Sequence, residues 1–222
     1  MRRRYYSSAY ARWVGIWHIR KMHSASTEDR RIEEAKEAMD WLEGARRSQR
    51  ERKNKRRERW TELDEFGDLL IRAQIAPVAV VAGDLDKASR YANDVLRTHD
   101  VAVSGGAPAH VDWGADQSYV AHIVLGKIAL SHGDVGPASE HLSLASRAAS
   151  RSSPTLRSLG PDTELAAALL QHGERGAVVE YLRAMKEVWR RGARQLHLWI
   201  AEIQSGGTPD FSKWTQVRVW RP

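Results

Sequence analysis

The sequence predicts an all-α protein: antiparallel helical hairpins, α-solenoid-like, with a basic helical extension at the N-terminus. Three observations predict it. A glycine–acid phrase recurs as AGDLDKA (82–88), HGDVGPA (132–138) and HGERGAV (172–178). Apolar residues run at helical spacing on both sides of each phrase. The chain is 42% apolar and has no cysteine, so it can pack a core but has no disulfides or thiolate metal ligands. Three segments are expected: a basic region 1–60, helical repeats 61–192, and a capping helix with an aromatic tail, 193–222.

Residues 1–60 carry 18 Lys and Arg against 9 Asp and Glu, whereas the rest of the chain is close to neutral. The first 27 residues contain no acid, as in a transit peptide, but Arg12 and His18 interrupt the apolar core that a secretory signal needs. No run of 18 apolar residues occurs, so no transmembrane helix is expected. A cytoplasmic location is the expectation. Tyr6, Tyr10, Trp13 and Trp17 fall on one helical face. Such a stripe is more often buried than laid on a membrane, so burial is expected and peripheral membrane contact is set aside.

Residues 45–60 hold Arg46, Arg47, Arg50, Arg52, Lys53, Lys55, Arg56, Arg57 and Arg59 against Glu51 and Glu58. The apolar stripe of Ile32, Ala35, Met39 and Leu42 continues here as Arg46, Gln49, Lys53 and Arg56, then resumes at Trp60, Leu63 and Leu70. A helix can run through, but its middle has no apolar seam. It must be solvated or bound to something acidic, which makes these nine cations candidate contacts for an acidic partner or for nucleic-acid phosphate.

The recurring phrase reads as the corner of a hairpin. Its glycine (Gly83, Gly133, Gly173) ends one helix in a left-handed conformation, and the following acid suits the start of the next. Small or apolar residues recur around it: Ala88, Ala138 and Val178 five residues on, then Ala92, Leu142 and Leu182, then Val95, Ala145 and Met185. Such residues let two helices approach closely. Pro77 should kink the first leading helix or shift its boundary. Turn formers crowd 103–117 and 150–162, where Pro161 can open a helix.

Leu125, Gly126, Gly133, Asp134, Ala138, Leu142 and Ala145 stand at the spacing of the tetratricopeptide (TPR) repeat, which this part of the chain resembles. The first and third copies match less well, and the glycine intervals of 50 and 40 residues exceed the family's period. The resemblance covers about half the chain and implies a groove lined by the leading helices. Its lining would be Leu70, Ala73, Pro77 and Val80, then Ile123, Lys127 and Leu130, then Thr163, Ala167 and Leu170. Of the basic residues that clamp a peptide carboxylate in that family, only Lys127 has a counterpart. An apolar peptide or helix from a protein partner is therefore the expected occupant, with the chain's own termini as the alternative.

LHLWIAEI (196–203) is expected to form an amphipathic cap, followed by Phe211, Trp214 and Trp220 in a docked tail. No metal-binding histidine pattern, phosphate loop, dinucleotide fingerprint or nucleophile elbow appears. His110 and Asp112 form a lone pair in a loop, GGAP (105–108) lacks a flanking strand, and His122 reads as a core histidine. The expectation is a non-catalytic protein–protein interaction module with no cofactor, metal or small-molecule substrate. A nucleic-acid-binding regulator is the alternative, and an enzyme without a recognisable motif the remoter one.

Overall fold

The computed structural model describes residues 8–57, 59, 61–104, 114–149 and 153–211. Tyr6, the loop pair His110 and Asp112, GGAP, Trp214 and Trp220 lie outside them, as does the side chain of Arg56. The described residues form α-helices and short 3-10 turns, with no strand. In order the helices are α1 (Ser8–His23), α2 (Glu28–Arg56), α3 (Glu62–Val81), α4 (Leu85–Ser104), α5 (Ala115–Ser131), α6 (Val135–Ala148), α7 (Pro154–Leu159), α8 (Glu164–Gln171), α9 (Arg175–Val188) and α10 (Ala193–Gln204). They group into two compact units, Met1–Thr98 and His99–Pro222.

Each glycine–acid phrase turns a corner between two helices: α3 to α4, α5 to α6, and α8 to α9. Gly83, Gly133 and Gly173 have φ of 79°, 83° and 85°. The bonding is the same three times. The acid's N–H donates to the carbonyl five residues back, Asp84 to Ala79 at 2.9 Å, Asp134 to Ala129 at 3.0 Å and Glu174 to Leu169 at 3.0 Å. Each glycine N–H donates to the carbonyl three back. These two hydrogen bonds close a helix end whose carbonyls would otherwise lack donors. The acid's own carbonyl then accepts the first bond of the next helix, from Ala88, Ala138 or Val178. Only Asp84 also caps with its side chain, accepting from the Lys87 N–H at 3.0 Å.

The residues repeated around the corners are core. Ala88, Ala92, Val95, Ala138, Leu142, Ala145, Val178 and Leu182 are all fully buried. Gly126 permits close packing between hairpins, because a Cβ there would stand 2.5 Å from Leu165 Cδ2. α3 passes through Pro77 without ending, at the loss of one intrahelical donor.

In the first unit α1 packs on α2, and α2 on α3. Gly15 sits where a Cβ would meet Leu42 Cγ at 2.8 Å. Gly15 against Leu42 and the Ala38 carbonyl sets this close approach, and the small residues Ala11, Ala35, Ala38 and Ala45 of the two helices are buried. The burial expected of the aromatic stripe is thereby reversed. The small face of α1 turns inward, and Tyr10, Trp13 and Trp17 remain exposed. Bulky rings would have held the two helices apart.

In the second unit α5 pairs with α6, α6 packs on α8 and α9, and α10 lies along α9. The expected cap over 196–203 is therefore present, with Leu196, Trp199, Ile200 and Ile203 buried and Phe211 set edge-on against Trp199. Arg175 holds the end of α10, donating to the carbonyls of Ile203, Gly206 and Gly207. Pro161 opens no helix. Pro154 does so instead, at the first turn of α7, because Ser153 beside it accepts from the Leu156 N–H at 2.9 Å and supplies the cap.

His122 on α5 faces His141 on α6, their Nδ1 atoms 3.3 Å apart. Burial, and then the neighbouring ring, pull His122 down to about 4. A histidine whose folded pKa lies below its ordinary value stabilises the fold fully above that ordinary value, near 6.5, and the contribution is lost as the pH falls towards 4. Urea denaturation should show wild-type stability falling about 2 kcal/mol further than that of His122→Gln between pH 7 and pH 4.5. Parallel pH profiles would contradict it.

Candidate functional site

The basic run finds its acid within the chain. Helix α2 extends unbroken to Arg56 and ends with Arg57 in the left-handed region at φ 53°. The row that continues its apolar stripe faces α3. Arg46 forks onto Asp68, Nε to Oδ1 at 2.5 Å and Nη2 to Oδ2 at 3.1 Å. Arg50 reaches Asp68 Oδ2 at 3.4 Å. Arg72, one turn along α3, puts its Nε 3.0 Å from the same oxygen, an ion pair without hydrogen-bond alignment. Lys53 pairs with Asp64 at 2.6 Å.

Asp68 is only 3% exposed, so three guanidinium groups converge on one buried carboxylate. Burial depresses the Arg46 pKa, but the Asp68 pair outweighs it and the net shift is upward. Arg72 shifts down because burial dominates there. Asp64 is held well below the usual carboxylate range by hydrogen bonds from Lys53 and then Thr61, with which it also forms the capping box that starts α3. Arg72 carries the link onward, donating to the Asp94 carbonyl and to Thr98 Oγ1 on α4.

Eight of the nine candidate cations therefore divide, the side chain of Arg56 lying outside the described residues. Arg46, Arg50 and Lys53 hold α2 to α3, while Arg47, Arg52, Lys55, Arg57 and Arg59 are exposed. Sequence reasoning missed Asp64 and Asp68. Their spacing of four in DEFGD (64–68) was the available signal, two acids on one helical face across from the arginine row.

The groove positions divide as well. In the second unit Ile123, Thr163 and Leu170 are buried, and Leu130 and Ala167 pack against the core cluster. Lys127 donates to Asp162 at 2.9 Å and Glu164 at 2.8 Å, and these acids raise its pKa against the opposing effect of burial. Beside it, the Asp162 N–H donates to Tyr119 Oη at 2.7 Å, and Tyr181 Oη donates to the Asp162 carbonyl at 2.8 Å. The two hydroxyls, 2.6 Å apart, close this ring, and burial raises both phenols so that they keep their protons. On α3, by contrast, Leu70, Ala73, Pro77 and Val80 remain half-buried along one side.

Among the described residues no group of three or more His, Asp or Glu is placed to hold a metal ion. No helix among them is long and apolar enough to cross a membrane. Compared with protein-family models, curated proteins and solved structures, the chain matches none of them significantly.

Replacing Asp68 by Asn leaves Arg46 and Arg72 half-buried without their counter-charge. It should cost about 3–5 kcal/mol in chemical denaturation, the penalty for breaking a buried pair from one side. A loss no larger than that of an exposed surface substitution would refute the assignment.

Proposed function

We propose that the chain is a non-catalytic interaction module whose TPR-like leading helix α3 docks an apolar helix or peptide from a protein partner. The observation that carries this reading is the outer side of α3. Leu70, Ala73, Pro77 and Val80, spaced three, four and three residues apart, share one face. None is charged and all are only half-buried. A helix face that meets only water ordinarily carries charge, whereas α3 places its charged Asp68 and Arg72 on the inward side. A partner helix presenting apolar residues at matching intervals would bury this row.

The lining positions of the second unit enter this reading as support for the scaffold rather than as contacts, since Ile123 and Leu170 are already buried and Lys127 is held by its own acids. Leu70→Arg should abolish capture of the partner by full-length protein while leaving the helical circular dichroism unchanged. Retention of every captured partner by that variant would exclude α3 as the docking face.

A second reading rests on the exposed cations at the end of α2. Arg47, Arg52, Lys55, Arg57 and Arg59 form a cluster of positive charge suited to nucleic-acid phosphate. If all five contact phosphate, affinity for generic duplex DNA should fall with salt at a log–log slope of about −4.5. Absence of binding even below physiological salt would remove this reading.

A further inference from the structure

The solvent side of α1 combines two features that rarely share a water-facing helix. Tyr10, Trp13 and Trp17, spaced by three and then four residues, lie on one side and are 46%, 62% and 42% exposed. Only Leu198 joins them as an exposed large apolar side chain among the described residues. The same row continues into exposed Arg20, with Lys21 beside it, 39% exposed, its Nζ 3.8 Å above the Trp17 ring and 3.7 Å from Glu34 Oε1. Helix α1 contains Arg12, Arg20 and Lys21 and no acid. Of the exposed acids Glu28, Asp29 and Glu33 in the first turns of α2, Glu28 and Glu33 are paired locally, with Arg31 at 3.5 Å and Arg30 at 2.7 Å.

This arrangement does not come from a shortage of burial elsewhere on the helix. The inner side of α1 is already committed to α2 through Ala11, Gly15 and Met22, and His18 there bonds Glu34 at 2.6 Å. The aromatic row is thus a second apolar face. Indole and phenol rings have an apolar body and a polar edge, which suits the boundary between lipid headgroups and acyl chains. Cations on the same face are drawn to an anionic leaflet. A pocket on a protein would need a matching concave apolar wall with acids at one end. A bilayer surface supplies both the apolar layer and the negative charge without any such fit.

We infer that the outer face of α1 binds the surface of an anionic lipid bilayer. Trp13 and Trp17 insert at headgroup depth, and Arg20 and Lys21 lie against the negatively charged headgroups. The expectation that set membrane contact aside rested on burial of this stripe, which the packing of α1 on α2 reverses. The surface is separate from the α3 row and does not depend on it.

Flotation of full-length protein with vesicles tests the inference, using phosphatidylcholine alone or with phosphatidylserine as a third of the lipid. Wild type should float with the mixed vesicles at physiological salt and not with phosphatidylcholine alone. Changing Trp13 and Trp17 together to Ala should lower partitioning at least about tenfold. Arg20→Gln and Lys21→Gln should each lower it about fivefold. Because these side chains are exposed, circular dichroism should be unchanged, and Leu70→Arg should float like wild type.

Failure of the wild type to associate with phosphatidylserine vesicles would overturn the inference. So would binding that survives loss of both tryptophans, or that depends on Arg47, Arg52 and Lys55 instead. A protein partner lost with the tryptophans, by a chain that ignores vesicles, would reassign the face to protein docking.

Discussion

The carboxylate of Asp68 is the constraint on which the first unit depends. Where the apolar seam of α2 gives out, Arg46, Gln49 and Lys53 stand in place of apolar side chains, and a long helix of that kind has no hydrophobic reason to stay beside α3. One buried acid reverses this. It takes a forked pair from Arg46, a longer contact from Arg50 and an ion pair from Arg72 of its own helix. Arg72 in turn reaches the backbone and a hydroxyl of α4. Three helices are thus registered by a polar cluster, and such clusters fix alignment more strictly than apolar contacts, which tolerate sliding.

The second unit uses a different device at the same level. Its helices meet through small and branched residues around the corner glycines, and the polar ring of Tyr119, Tyr181 and Asp162 fastens the start of α8. Near it, the Trp189 ring lies against the backbone of Gly160 and Gly192, where a Cβ would come within 2.9 Å and 2.1 Å of the indole. Glycine is needed there for room. At Gly160 it also supplies a φ of 80°.

The hairpin corners were legible in the sequence because everything they need is local: a glycine, an acid, and small residues at fixed distances. The cap over 196–203 was legible for the same reason, being one amphipathic turn pattern. What the sequence did not reveal were choices between faces. Helix α1 has two apolar sides, and periodicity alone favours the larger rings for burial. Close approach to Ala38 and Leu42 favours the smaller side containing Gly15. The arginine row of α2 likewise announces a need for acid without saying where the acid lies, and Asp68 answers it from 18 to 22 residues away. Lys127 looked available for a ligand because its two acids belong to α8 and the segment before it, 35 and 37 residues on.

The glycine and the acid of the three corners make the same backbone hydrogen bonds although the intervals between their glycines are 50 and 40 residues. The length differences between the three copies therefore fall between hairpins and not within a corner. A corner bond links atoms five residues apart, so a single inserted residue would break it, whereas a connecting segment can lengthen at little entropic cost. Each hairpin thus has one end of fixed geometry and one end of variable length. New surface can be added at the variable end without disturbing the helices that carry it.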